Sequence, residues 1–194
     1  SLCRGRKASG HLHRRRLPAA HRGGGAFKTK CINSIFDGNT AIYGGGASSD
    51  AYHYGCISRN NVCTHPDSKY RAGFFYWYTC DNCTAIDSFP EPQSVAHVAK
   101  NVLILGPMGP WEGRTVAASN FHHCVMAKDV EGYFTSVYHP TVAQGEGCIT
   151  AALSALPVDE DGRPVAGANP AVDAADAAAS ANIGEYDLFG VQRV

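Results

Sequence analysis

Gly23-Gly24-Gly25-Ala26-Phe27 precedes Cys31-Ile32-Asn33-Ser34-Ile35-Phe36-Asp37-Gly38-Asn39-Thr40-Ala41, and Gly44-Gly45-Gly46-Ala47 then returns 21 residues after the first triplet. A Gly-rich turn, a short apolar strand and an Asn at the strand's end, recurring at about 20 residues, are what one coil of a β-solenoid requires. The small residues let the backbone turn a tight corner, and the strand stacks on the coil below. A solenoid is a surface before it is an active site, and that shifts which functions fit.

Further along the chain the repeat continues in looser form. Tyr52-His53-Tyr54-Gly55-Cys56-Ile57 and Cys80-Asp81-Asn82-Cys83-Thr84-Ala85-Ile86 both read as strand, corner, strand. The strands that open on Cys31, Cys56 and Cys83 lie 25 and 27 residues apart, which is one coil plus a loop of varying length. Pro90, Pro92, Pro107 and Pro110 break any long element between 90 and 118, although Val102-Leu103-Ile104-Leu105 reads as a buried strand. Residues 115–130 supply another coil, with Phe121 and Cys124-Val125-Met126, and Tyr133-Phe134-Thr135-Ser136-Val137-Tyr138 adds strand-like sequence. The chain divides into a basic segment of poor order at 1–22, coils with long loops at 23–156, and a capping segment at 157–194.

The composition agrees with an all-β chain. Of 194 residues, 44% are hydrophobic, enough for one core, while only 18% are charged against a usual quarter, and 21 are Gly. The 17 basic and 17 acidic residues cancel, but their placement is lopsided. No acid precedes Asp37, whereas Arg4, Arg6, Lys7, Arg14, Arg15, Arg16 and Arg22 crowd the start. That arm carries no aromatic residue to stack on a base, so nucleic acid is not the expected partner. There is no apolar run long enough for a membrane span, and no apolar stretch follows the basic start as in a signal peptide. The expectation is a leader already removed, or the C-terminal piece of a longer chain. The 8 Cys read equally as inward stacked thiols or as disulfides.

Two parts of the chain resemble known sequences. Gly44-Gly45-Gly46-Ala47 and Phe36-Asp37-Gly38-Asn39 resemble the GGA and FxxN repeats of polymorphic outer-membrane and autotransporter passenger domains. The order Gly145-Glu146-Gly147-Cys148-Ile149, Val158-Asp159-Glu160-Asp161-Gly162, Ala168-Asn169-Pro170-Ala171-Val172-Asp173 and Asp187-Leu188-Phe189-Gly190 is similar to the end of secreted bacterial β-helix proteins of the choice-of-anchor type. Ala175 and Val191-Gln192 depart from that pattern, which has Gly and Asn-Pro there. The resemblance implies an all-β, right-handed parallel β-helix of a few coils with an irregular C-terminal cap, secreted or displayed at a cell surface.

On such a scaffold the chemistry-bearing residues are few. Phe74-Phe75-Tyr76-Trp77-Tyr78 places five aromatics together, and alternate ones share a face. Phe74, Tyr76 and Tyr78, joined by Trp111, form the expected ligand-binding platform for a polysaccharide or cell-surface glycan. His122, His123, Lys128, Asp129 and Arg114 are close in sequence and are the candidates for a polysaccharide lyase or hydrolase, which needs a base with a cation or a pair of carboxylates. Cys80 and Cys83, a CxxC, together with His122, His123 and Cys124 have zinc-ligand chemistry, but a lone CxxC lacks its second half. Asp159 and Asp161 before Gly162 read as half a Ca²⁺ loop without the closing Glu, so a polar turn is the simpler reading and Ca²⁺ the weaker one. The Gly triplets are not phosphate cradles, because no helix and no Lys-Ser/Thr follows. The leading expectation is a structural, adhesive or carbohydrate-binding module without enzymatic activity. Its alternatives are a carbohydrate-active enzyme with its site at 111–130 and a self-associating subunit of an extracellular filament.

Overall fold

The same corner recurs along the chain, at Asn33, Gly55, Asn82, Asn101, His123 and Gly147, each at a φ between 45° and 65°. Gly and Asn tolerate this left-handed conformation better than other residues. Short strands enter and leave each corner. The computed structural model describes residues 2–4, 20–22, 24–49, 51–66, 71–72, 75–76, 79–86, 98–106, 121–130, 145–172 and 174.

Sheet 1, before the corner, stacks β1 (Leu2–Arg4), β4 (Lys30–Ile32), β8 (Tyr52–Tyr54), β13 (Cys80–Asp81), β15 (Ala99–Lys100) and β17 (Phe121–His122). Sheet 2, after it, stacks β5 (Ile35–Asp37), β9 (Ile57–Arg59), β14 (Thr84–Ala85), β16 (Leu103–Ile104), β18 (Val125–Ala127) and β19 (Ile149–Ala151). In sheet 3, β6 (Thr40–Gly45) pairs with β2 (Ala20–Arg22), β10 (Val62–Cys63) and β11 (Arg71–Ala72). Sheet 4 holds β3 (Ala26–Phe27), β7 (Ser48–Ser49) and β12 (Phe75–Tyr76). Strand pairs between successive coils are parallel, so the chain is an all-β parallel solenoid, as the glycine repeat predicts. Besides strands, the described residues hold two 3-10 turns, Leu153–Ala155 and Pro170–Val172. No helix among them is long and apolar enough to cross a membrane.

The register corrects the sequence spacing. Cys31 stacks on His53 and Phe36 on Ser58, so the first coils repeat at 22 residues, and Ala26 pairs with Ser48 rather than with Ala47. Cys31 belongs to the inward column of sheet 1, with His53, Cys80, Ala99 and Phe121. Cys56, Cys83, Val102, Cys124 and Cys148 follow the corner and begin the approach to sheet 2. The 25-residue spacing therefore mixed two columns, both of which accept Cys because both face a narrow interior. The inward column of sheet 2 is Phe36, Ser58, Ala85, Ile104 and Met126. These columns meet in one core of small and sulfur-bearing side chains around Phe36, Ile104, Phe121 and Met126.

No disulfide joins the cysteines whose side chains are described, Cys31, Cys56, Cys63, Cys80, Cys83, Cys124 and Cys148, which corrects the disulfide reading in favour of stacked thiols. A thin interior has room for a thiol where it has none for Leu, and a buried thiol packs as a small apolar group.

Residues 153–172 lie along the outer face of sheet 2. Leu156 and the partly buried Val158 and Ala171 cover Leu103, Leu105 and Val125. Burying each Leu or Val side chain there contributes about 2 kcal/mol. The segment is pinned at both ends of the stack. Asp129 accepts the Leu153 N–H at 2.6 Å, and Arg59 donates to the Glu160 carbonyl at 2.7 Å. Gly162 sits against Ile57, where an added Cβ would come within 3.0 Å of the Ile57 side chain.

Candidate binding face

Because Cys31, His53, Cys80, Ala99 and Phe121 face the interior, the residue after each is on the opposite face of its strand. Parallel register then lines up Ile32, Tyr54, Asp81, Lys100 and His122, one per coil. A parallel bridge from His122 to Glu146 extends the line. Neighbours along it are about 4.8 Å apart. His122 Nδ1 lies 3.5 Å from Glu146 Oε2. Lys30 Nζ sits 4.6 Å above the Tyr54 ring, and Tyr52, beside Lys30 in register, is exposed.

Tyr54 and Asp81 are screened from water although they point away from the core. Burial pushes the Asp81 carboxyl up to about 6, against the pull of Lys100 and of the Asn82 backbone N–H. Burial, helped by Asp81, also raises Tyr54.

The corner beside this line is polar. Asn101 Nδ2 donates to Asn82 Oδ1 at 3.2 Å, and Asn82 Nδ2 donates to Asp81 Oδ1 at 3.0 Å, so a chain of carboxamides leads to the carboxylate. A shallow groove of about 350 Å³ opens over the corner. Asn82, Asn101 and His123 form one side, and Arg163, Pro164 and Val172 of the covering segment form the other. Asp159 and Asp161 hold Arg163 at 2.9 and 3.2 Å, and Asp159 also accepts the Asp161 and Arg163 backbone N–H groups. Carboxamides and an imidazole offer both donors and acceptors, the match for a ligand rich in hydroxyls.

The structure brings together only part of the predicted set. His122 and His123 are adjacent but lie on the sheet 1 face and at the corner. Lys128 and Asp129 follow β18 at the far end of sheet 2, where the Asp129 carboxylate caps the Leu153 turn. Phe74, Tyr78, Trp111 and Arg114 lie outside the described residues, as does the Tyr76 side chain, although its backbone pairs with Ser49. Asp159 and Asp161 face a guanidinium where a bound cation would need open carboxylates. Cys80 and Cys83 are buried in the interior, and no three His, Cys, Asp or Glu side chains among the described residues are grouped to hold a metal. Asp81 and Glu146 are three strand spacings apart, roughly 14 Å, too far for the paired carboxylates of glycoside hydrolysis.

Asp81, Asn82, Lys100, Asn101, Glu146 and Arg163 escaped the sequence reading. The signal was a five-residue phrase hidden by loops of unequal length: His53-Tyr-Gly-Cys-Ile57, Cys80-Asp-Asn-Cys-Thr84, Ala99-Lys-Asn-Val-Leu103, Phe121-His-His-Cys-Val125 and Gly145-Glu-Gly-Cys-Ile149. Its second residue gives the outward line and its third the corner. In comparisons with known proteins, no family model, curated protein or solved structure matches this chain.

Proposed function

We propose that the solenoid is a secreted or cell-surface module that binds a polysaccharide along the sheet 1 face and the adjoining corner groove. The observation that carries this reading is the register-matched ladder of Asn82, Asn101 and His123 beside Lys100 and His122. A polymer with hydroxyls at regular intervals meets equivalent groups on successive coils. The exposed Tyr52 ring adds a stacking surface at one end of the face. The extracellular setting is supported by the Gly-Gly-Gly-Ala and FxxN resemblance.

The test is a glycan array, followed by titration calorimetry on any polysaccharide that binds, with Asn101→Ala and Lys100→Ala compared with the unmodified chain. The expected result is saturable binding, weakened about tenfold or more by either change, without shortening of the polymer. Equal affinity in both variants would remove the face from the proposal, and cleavage of the polymer would replace a binding module with an enzyme.

A further inference from the structure

We propose that Cys124 and Cys148 are a thiol–disulfide exchange pair, with Cys148 attacking a low-molecular-weight disulfide and Cys124 resolving the product. Their placement makes this feasible. Val125 and Ile149 are register partners, and the Ile149 N–H donates to the Cys124 carbonyl at 2.8 Å, so the two cysteines are neighbours on adjacent coils. The spacing of parallel strands, about 4.8 Å, falls within the Cα separation a disulfide spans.

Access separates this pair from the other thiols. Cys31, Cys56, Cys63, Cys80, Cys83 and Cys124 are buried, whereas Cys148 is partly exposed. The backbone around it is cleared by glycine. A Cβ on Gly145 would meet Cys148 Sγ at 2.9 Å, and one on Gly147 would meet His123 Nδ1 at 2.5 Å. The Cys148 N–H closes this turn onto the Gly145 carbonyl at 3.0 Å. The turn therefore wraps the thiol and the imidazole together at the end of the corner ladder.

The electrostatics divide the roles. The neighbouring Cys124 lowers the Cys148 pKa, and the nearby His123 adds to this. Burial pushes Cys124 well up, so it holds its proton until the second step. The thiolate is the nucleophile in such exchange.

In the first step Cys148 gives its proton to solvent and its sulfur attacks one sulfur of a disulfide R–S–S–R. The S–S bond breaks, a mixed disulfide forms, and one thiolate R–S⁻ leaves and is protonated. In the second step Cys124 loses its proton and attacks the Cys148 sulfur. The bond to R breaks and the second R–S⁻ departs. Two protein thiols are oxidised, and one small disulfide is reduced to two thiols. The product ties β18 to β19.

The experiment treats the full chain with oxidised glutathione, alkylates it and maps the peptides by mass. The unmodified chain is expected to yield a Cys124–Cys148 cross-link lighter by two hydrogens, with Cys56, Cys80 and Cys83 still alkylated after denaturation. Cys124→Ala, which keeps a small apolar group in the core, is expected to retain glutathione on Cys148. Cys148→Ser is expected to show neither product. A mixed disulfide that persists on Cys148 of the unmodified chain overturns the resolving role. Labelling of Cys56 or Cys83 as fast as Cys148, or no reaction at Cys148, overturns the proposal.

Discussion

Asn61 binds Asn39 twice across adjacent coils: its Oδ1 accepts the Asn39 backbone N–H at 2.9 Å and the Asn39 side-chain amide at 2.8 Å. Its own amide donates to the Phe36 carbonyl and to Ser58 Oγ, both at 2.9 Å. One buried carboxamide thus satisfies the backbone where two coils leave sheet 2. Asn61→Ala leaves the part-buried Asn39 N–H and the buried Phe36 carbonyl unmet, each costing up to about 1–3 kcal/mol. The expected outcome is a loss of about 3 kcal/mol in denaturant unfolding. Asn61→Asp is expected to be no better, because it removes both donations to Phe36 and Ser58. A loss below about 1 kcal/mol for the Ala variant would show that the ladder is not a principal tie.

Gly46 and Gly38 are required for different reasons. An added Cβ on Gly46 would lie 2.5 Å from Val62 N and 2.9 Å from Asn61 C, both backbone atoms of the next coil. Gly46→Ala must push the coils apart and is expected to cost about 2 kcal/mol. Gly38 has nothing within 4 Å of that position but holds φ at +66°. Gly38→Ala is expected to cost about 1 kcal/mol, from backbone conformation alone. Thermal unfolding of the two variants measures the difference, and a larger loss at Gly38 would contradict the close approach of the coils.

This contrast shows why the fold was legible. Gly24-Gly25 and Gly46 mark coil-to-coil contact, and the Phe36-to-Asn39 spacing marks the exit from sheet 2; both depend on neighbours in sequence. Coil register was less legible because Cys31 and Cys56 fill different columns of the same narrow interior, where residue type does not distinguish position. The site was less legible still. Asp81, Lys100 and His122 share a line only after loops of different lengths are set aside, and Arg163 arrives from the segment that covers sheet 2. Local proximity placed Asp129 beside His122, whereas the structure uses its carboxylate to cap a turn.

His123 occupies a corner that suits Gly or Asn, with φ at 51°. A non-Gly side chain there costs about 1 kcal/mol. His123→Gly is therefore expected to keep or raise the thermal midpoint. The same change removes the imidazole from the groove and from the neighbourhood of Cys148. Under the binding proposal it lowers polysaccharide affinity while leaving the fold intact, and calorimetry beside thermal unfolding separates the two effects. A variant that binds normally and unfolds at lower temperature would mean that the imidazole serves packing against the Gly147 turn instead.

His53 and Asp81 pull the pH dependence of stability in opposite directions. His53 is wholly buried, with its ring edge-on to Phe36 at 5.7 Å, and burial lowers its pKa from 6.5 to about 3. Between those values the unfolded chain binds a proton that the folded chain refuses, so falling pH costs stability. Asp81 is raised from 3.8 to about 6, so between those values the folded chain binds the extra proton and falling pH restores stability. The two slopes cancel between about pH 4 and 6, and below about 4 the His53 loss stands alone. Asp81→Asn removes the compensating slope. Relative to the unmodified chain, it is expected to gain stability near pH 7 and to lose that gain steadily from about pH 6 to 4. His53→Leu is expected to do the reverse at the acid end, holding stability as pH falls toward 3. Urea unfolding at intervals of pH gives both difference curves. Parallel curves for Asp81→Asn and the unmodified chain would show that the Asp81 carboxyl titrates alike in the folded and unfolded states.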